Sequence, residues 1–515
     1  MGILEYVNWQ TIATSILVYF ASLVFYRLYL HPLARFPGPK LAAITRYYEG
    51  YYDIARNGEY TFRIAEMHKQ YGMPTSRGVT KRASPIVRIS PYELHVSDPS
   101  YYEKLYCQDG RWNKYDWAYD AFGAPMSAIC SVDHDLHKRR RAPLNPFFSR
   151  ANVARRQSMI QGLAGKLCDR LDGSRGSTVN ISTAISAFTR DVATQFVLGK
   201  NHHNLDNEDF GADITNVLQS SGAIWRTTKH VRFLGPLMKA LPMDWIEKTA
   251  DAGTKAFFGF LKTTKDIVSS HTPPSTTAKS ADDTQPETIV HAILDSNLPP
   301  PEKTVGRIND EVGTITGAAF ETAAQSIRTV LYHLYSDQEP MARLRAELAG
   351  APRGEDGEVP VAALEQLPFL SGAVREGLRL SPGLATRLAR VAPDRDLFYG
   401  QWRIPAGTPV GMTVLHMHHD EGLYPEPRKF IPERWIGQAR ASDKTFAPFS
   451  RGTRSCLGMY LAWAEMYIVV ARLVQRFDME LQGAGPKDVE CVSDQFIIGT
   501  ADSSGIKAVV TRYEG

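Results

Sequence analysis

Of the five cysteines in this 515-residue chain, Cys456 sits where a thiol could do chemistry. It belongs to the run Phe449-Ser450-Arg451-Gly452-Thr453-Arg454-Ser455-Cys456-Leu457-Gly458, which reads F-x-x-G-x-R-x-C-x-G and leads into an apolar helical stretch. A sulfur placed ahead of a helix is favoured as thiolate by the helix dipole and by unpaired backbone N–H groups. Gly452 and Gly458 allow the backbone to approach a large flat object. Arg454 offers a rigid fork to a carboxylate. Thiolate iron ligand, flat ring and carboxylate partner together describe haem. The bland alternative is an inert buried thiol, the common state of free cysteine; the ten-residue pattern weighs against it.

Two further constellations carry charge into apolar sequence. In Gly317-Ala318-Ala319-Phe320-Glu321-Thr322-Ala323 a carboxylate and a hydroxyl sit side by side within residues 309–335, which read as one long helix. Thr322 can bond the carbonyl one turn back and open a local groove, and Glu321 beside it could feed protons. Glu376 and Arg379 lie three apart in the helical pattern 369–380, so they can pair on one face. Buried charge is tolerated when paired, and Arg434 in Pro432-Glu433-Arg434-Trp435 is the natural third partner.

The cysteine run resembles the haem-binding signature of cytochromes P-450, the haem-thiolate monooxygenases, whose thiolate pushes electron density toward O–O cleavage. The family's E-x-x-R and P-E-R-[F/W] motifs match without departure. Its A-G-x-[D/E]-T-T motif matches with Ala319 in place of the usual Gly and Ala323 in place of the second Thr. The resemblance implies a mainly α fold with small β-sheets and an N-terminal transmembrane helix. It makes Cys456 the iron ligand of haem b (iron protoporphyrin IX), with Phe449 and Gly452 beside it. It gives the propionates to Arg454, Arg390 (preferred over Arg387), Arg141 and His137, the last standing where W-x-x-x-R has its Trp. Glu321 and Thr322 become the catalytic acid–alcohol pair. Residues 112–130, Ala318, Ala319, Leu384, Ala385 and 496–498 would line an apolar pocket.

No flavin or nicotinamide fingerprint is present, so the resemblance implies electrons from NADPH through a separate NADPH-cytochrome reductase. Lys138, Arg139, Arg140 and Arg451 are expected to face it. Texture such as Phe430-Ile431-Pro432-Glu433-Arg434-Trp435 is similar to fungal members of secondary metabolism, of trichodiene-oxygenase flavour. That implies hydroxylation or epoxidation of a terpenoid or polyketide intermediate. A haem-thiolate isomerase or dehydratase is the enzymatic alternative, though such relatives often lack the acid–alcohol pair. A membrane-tethered haem carrier is the non-enzymatic one, and it has no use for a proton relay.

The elements that must position these residues follow from the rest of the chain. A net charge of +4 is too small to argue for nucleic acid. Odd-numbered, dispersed cysteines without C-x-x-C argue against a disulfide framework or zinc site and suit a reducing compartment. The 21 residues between Glu5 and Arg27 are uncharged, about enough for one spanning helix. Arg27, Arg35 and Lys40 follow it, which places the body in the cytosol. The expected division is a transmembrane anchor over 6–28, a Pro-rich hinge over 29–45 and a haem-binding catalytic domain over 46–515, in the endoplasmic reticulum membrane. Residues 85–90 alternate as a strand and 401–408 read as strand–turn–strand. Residues 73–84 look inserted, as a surface loop or a translated intron. Residues 112–130 read as a loop with one short helix, 150–270 as helical, and 271–288 as a flexible connection.

Overall fold

The computed structural model describes residues 9–71, 73–74, 81–82, 84–240, 248, 251–271, 288–354, 357–437 and 443–514. Helix α1 (Trp9–Phe25) continues through a π-helical turn, Tyr26–Leu30, as an exposed rod. Its 22 residues include an 18-residue stretch with a mean hydropathy of 1.5, long and apolar enough to cross a membrane. The segment expected to be a hinge is docked on the body. Leu33 and Phe36 are buried, and Phe36 stacks on Trp402 with ring centroids 4.8 Å apart. The Pro37 carbonyl accepts from the Arg88 N–H at 2.7 Å. Any Cβ at Gly38 would meet the Arg88 carbonyl oxygen at 2.3 Å, so glycine is required there.

The body is built around one long helix. The helices that matter here are α2 (His134–Arg141), α3 (Gln157–Asp172), α4 (Ile181–Leu198), α5 (Ala212–His230), α6 (Val305–Ser336), α7 (Pro368–Leu380) and α8 (Met459–Arg476). α6 starts at Thr304, whose side chain accepts from the Arg307 N–H, and it extends slightly beyond the expected 309–335 at both ends. Its apolar face (Ile308, Val312, Ile327, Val330, Leu334) joins side chains of α3, α4, α7 and α8 in the largest core cluster. Burial of each such side chain stabilises by roughly 1.5–3 kcal/mol. α4 is buried on nearly every side, which its run of small and apolar residues permits.

A five-stranded sheet closes one flank: β1 (Ile86–Arg88), β2 (Leu94–Val96), β3 (Asn113–Lys114), β4 (Arg390–Val391) and β5 (Pro409–Gly411), in the order β1-β2-β5-β4-β3. β2 and β5 pair in parallel, and the other pairs are antiparallel. The β3–β4 register sets Lys114 opposite Arg390. A second hairpin joins β6 (Ser493–Gln495) to β7 (Ile497–Gly499). The expected strand–turn–strand over 401–408 divides differently. Trp402–Ile404 pairs back onto Leu397–Tyr399, and the next strand, β5, belongs to the large sheet. In the region expected as an insertion, Met73–Pro74 pairs antiparallel with Lys81–Arg82. Its last residue, Ser84, is buried and donates its N–H to the His68 carbonyl at 2.9 Å, so it belongs to the body. The expected connection over 271–288 lies almost wholly outside the described residues.

Candidate active site

Cys456 lies three residues ahead of α8, whose N-cap is Gly458. Its N–H donates to the Phe449 carbonyl at 2.9 Å, closing the loop. Phe449 packs on Trp463 with centroids 5.7 Å apart. Cys456 is exposed on one side, whereas Cys130, Cys168 and Cys491 are buried and Cys107 is half-buried. Protein surrounds its other sides, and that desolvation pushes the thiol pKa up. The Gly458 N–H and the Arg141 guanidinium pull it down. Gly452 differs from expectation. It has φ +73°, and a Cβ there would lie 2.4 Å from the Cys107 carbonyl oxygen. The neighbouring backbone at Tyr106–Cys107 is therefore sufficient reason for glycine at 452. Gly458 meets nothing within 4 Å.

Beside this loop lies a cluster of buried cations. Arg454, Arg390 and Lys114 are buried, and among the described residues none of the three has a carboxylate salt-bridge partner. Arg454 gives its donors to backbone carbonyls, Ser131 at 2.7 Å, Val132 at 2.8 Å, and Trp112 and Asp133 at 3.1 Å. It thereby ties the cysteine loop to residues 112–133. Arg390 donates to the Leu388 and Ala389 carbonyls. Lys114 Nζ lies 4.0 Å over the Tyr119 ring. Burial, with Arg454 and Arg390 nearby, holds the Lys114 ammonium well below its ordinary pKa. Burial and the Arg390 charge likewise bring Arg454 to about 9. His137 faces Arg454, Lys114 and Arg141, and burial first, these cations second, lower its pKa to about 2. Arg141 donates to the Ser455 carbonyl at 2.6 Å, directly before Cys456. Arg387 is not part of the cluster. It is spent on Glu93 at 2.7 Å and Glu49 at 2.9 Å.

Positive charge buried without an anionic partner is costly, and a ring bearing two carboxylates would offset it here. An accessible thiol beside that charge fits the same group. Lys114 escaped the sequence reading. Its only signal was a lone lysine in an aromatic stretch, and only the strand register brings it to Arg390.

The α6 motif is divided between two environments. Thr322 donates to the Ala318 carbonyl at 2.7 Å on a face where Gly317 and Ala318 are exposed. Glu321 turns into the protein. It pairs with Arg328 at 2.8 Å and accepts from Ser186 Oγ at 2.8 Å. Burial raises its pKa, but Arg328 and these hydrogen bonds outweigh that and leave it lowered. About three helical turns earlier, α6 clasps the 126–128 segment. Asp310 accepts from the Met126 N–H at 3.0 Å, and Glu311, paired with Arg307 at 2.7 Å, accepts from the Ala128 N–H at 3.1 Å. Arg140, expected on the surface, is buried and paired with Glu302 at 2.8 Å; it also donates to Ser131 Oγ. Lys138 and Arg139 remain exposed, and Arg451 pairs with Glu103 at 2.9 Å.

The three charges of the second motif meet. Glu376 accepts from Arg379 Nη2 at 2.7 Å, Arg434 Nε at 3.1 Å, Trp435 Nε1 at 2.9 Å and the Ile431 N–H at 3.1 Å. Arg379 also donates to the carbonyls of His418, Pro427 and Lys429.

Residues 76–502 match the family model for Cytochrome P450. The chain belongs to the cytochrome P450 family. The cytochrome P450 monooxygenase astB of Talaromyces wortmannii is 37% identical over 523 residues, covering 96% of this chain and 97% of the relative. The cytochrome P450 monooxygenase TRI4 of Fusarium sporotrichioides is 34% identical over 485 residues, covering 93% and 90%. The crystal structure of a cytochrome P450DA variant haem domain aligns with a TM-score of 0.64 at 15% identity, covering 88% of this chain and 92% of that one, a likeness of fold. As a P450 this chain is an oxygenase with a haem-thiolate cofactor, of the kind found in fungal secondary metabolism. P450 monooxygenases use a redox partner and take hydrophobic substrates.

Proposed function

We propose that this P450 is a single-pass protein of the endoplasmic reticulum membrane with its body in the cytosol, and that it oxidises a terpenoid or polyketide intermediate. The cofactor is haem b, with Cys456 as ligand and with Lys114, Arg390 and Arg454 at the propionates. His137, kept neutral by burial and then by its cationic neighbours, can donate one N–H there. The single observation that carries this reading is the buried cation cluster, unmatched by carboxylates, beside an accessible thiol.

When bound, haem supplies dioxygen activation and insertion of one oxygen atom into a C–H or C=C bond; electrons come from NADPH through an NADPH-cytochrome reductase. This chain's own work is positioning, water exclusion and proton movement. Glu376, Arg379 and Arg434 fix the approach to the cysteine loop. Asp310 and Glu311 hold residues 126–128 over the pocket as a wall against water. Thr322 Oγ1 can turn its hydrogen from the Ala318 carbonyl to give a proton at the exposed face of α6, and its lone pairs can accept one from behind. Glu321 must leave Arg328 and Ser186 to reload it, so the ion pair acts as a gate on proton supply.

The test has two arms. Carbon monoxide binding to the reduced protein should give the thiolate-type Soret band. NADPH oxidation with reductase should then depend on a hydrophobic substrate. Turnover without NADPH would establish an isomerase or dehydratase instead, and carbon monoxide binding without turnover a carrier.

A further inference from the structure

A small cavity lies where α5, the 46–53 segment and the 115–119 turn meet. Tyr115, Trp117, Tyr119, Trp225 and Phe496 form its aromatic walls, and Glu49 reaches it from the other side. About 10 Å³ is open to the centre of a water-sized group, room for one hydroxyl or one water. Phe496 is held there against its backbone preference. It has φ +69°, its N–H donates to Asp494 at 2.9 Å, and its ring packs on Phe122 and Trp225 with centroids 4.7 and 5.2 Å away. A non-glycine residue in that region costs about 1–3 kcal/mol unless its surroundings fix it.

The charges behind the cavity are balanced. Glu49 Oε1 accepts from Lys229 Nζ at 2.8 Å and Arg387 Nη2 at 2.9 Å. Lys229 also meets Asp53 at 2.6 Å, and Arg387 meets Glu93 at 2.7 Å. Asp494 and the cations Arg226 and Arg46 complete four carboxylates against four cations. Glu49, Asp53 and His230 are grouped like metal ligands. The Lys229 ammonium already bridges the two carboxylates, so a metal ion has no role there. Among the residues that line the cavity, Glu49 Oε2, Tyr115 Oη and Trp117 Nε1 are buried without a hydrogen-bond partner, as are Arg46 Nη1 and His230 Nδ1 in the charge cluster behind it, and Glu49 is 0% exposed. Such atoms are expensive to leave unmatched.

Their chemistry selects the guest. Glu49 Oε2 needs a donor, Trp117 Nε1 needs an acceptor, and Tyr115 Oη can be either. A carbonyl cannot donate to Glu49. A carboxylate would be repelled by it, and an ammonium would unbalance a neutral cluster. A hydroxyl does both jobs at once, and the aromatic walls suit the hydrocarbon that carries it. We propose that the substrate bears an alcoholic or phenolic hydroxyl remote from the carbon that is oxidised, and that this cavity receives it. The inference rests on the hydrophobic-substrate reading of the pocket and narrows it to a hydroxylated one.

The experiment uses the full-length haem-loaded protein and two matched probe pairs, 1-naphthol with naphthalene and farnesol with farnesene, titrated by the substrate-binding shift of the haem spectrum. The comparison is with the Tyr115→Phe/Trp117→Phe double variant, which keeps an aromatic ring at both positions, a smaller one at 117, and deletes both unpaired donors. Glu49 is left alone because its other oxygen holds Lys229 and Arg387. For at least one pair the wild type should favour the alcohol about tenfold. In the variant that ratio should fall to between about one and three; the ratio is the readout because the smaller ring at 117 alters the affinity for both members of a pair. An equal ratio in both proteins, or no alcohol preference in either pair, overturns the proposal. If the cavity holds only a structural water, the variant loses thermal stability while the ratio stays put, which also overturns it. The reduced carbon monoxide spectrum, recorded on the same samples, separates these outcomes from failure of the haem-thiolate reading.

Discussion

Arg379 and His418 hold each other by two reciprocal hydrogen bonds. Arg379 Nη1 donates to the His418 carbonyl at 2.8 Å, and His418 Nδ1 meets the Arg379 carbonyl at 3.2 Å. His418 Nε2 accepts the Ala447 N–H at 3.1 Å, so the proton of the neutral ring sits on Nδ1. Burial and the Arg379 charge keep that ring neutral, with a pKa of about 3. The chain of contacts runs from the Glu376 carboxylate through Arg379 and His418 to the loop that carries Cys456. It turns a buried ion pair into a mechanical support for the thiolate.

His418→Phe keeps the stacking on Phe446, whose ring lies 5.6 Å away at 14°, but strands the Ala447 N–H. The expected cost is about 1–3 kcal/mol, the penalty for one unmatched buried donor. Glu376→Gln uncharges the partner of two arginines, and the expected cost is greater, about 3–5 kcal/mol. Thermal unfolding of the haem-loaded variants, with the thiolate-type fraction of the carbon monoxide complex read alongside, should rank them in that order. The reverse order would mean that the loop is held by its own turns and not through Arg379.

The large features were legible because they are local. The cysteine run, the acid–alcohol pair and E-x-x-R each lie within ten residues, and long uninterrupted helices show in apolar periodicity. What could not be read depends on register between distant segments. Lys114 and Arg390 are 276 positions apart and meet only because two short strands pair. Arg140 looks like one more surface charge in Lys138-Arg139-Arg140-Arg141, and only Glu302, brought beside it by tertiary packing, makes it a buried one. Gly452 reads as a cofactor-side glycine because sequence cannot show that the Tyr106–Cys107 backbone passes against it.

Lys114 gives a pH test of the cation cluster. Its folded pKa lies below the ordinary 10.5 because burial and the Arg454 and Arg390 charges penalise the ammonium. Between the lowered value and 10.5 the unfolded chain binds the proton more tightly, so haem-free protein should gain stability as pH rises toward 10. Propionates favour the charged form and should cancel the gain in haem-loaded protein. Lys114→Met should flatten the haem-free profile and raise haem loss to apomyoglobin several-fold. An identical pH slope in haem-free wild type and variant would remove Lys114 from the site.

Of the four cations expected to meet the reductase, Lys138 and Arg139 are exposed, and Arg451 is paired with Glu103. Because Arg140 is paired inside the protein, the reductase prediction narrows to Lys138 and Arg139. Lys138→Glu/Arg139→Glu should slow reduction by the reductase about tenfold at low salt. The difference should fade as salt rises, because steering between separated charges is screened. A rate deficit that is the same at every ionic strength would point to a damaged helix and not to docking.

Thr322 supplies the sharpest test of what α6 does. Its hydroxyl touches the Ala318 carbonyl at 2.7 Å, and no other hydrogen bond of the fold depends on that hydroxyl among the described residues. Thr322→Ala should therefore keep haem, substrate binding and first reduction. What it removes is the proton donor at the exposed face of the helix. NADPH oxidation should persist within about twofold, while product per NADPH falls roughly tenfold and released hydrogen peroxide rises to match. The drop is smaller than the hundredfold typical of a lost general acid, since water can stand in for a hydroxyl. Thr322→Ser keeps the donor without the methyl and should recover most of the coupling, which a purely structural threonine would not predict. If product per NADPH were unchanged in Thr322→Ala, the hydroxyl would be a helix-bending group only, and the Glu321–Arg328 pair would lose its role as a proton gate.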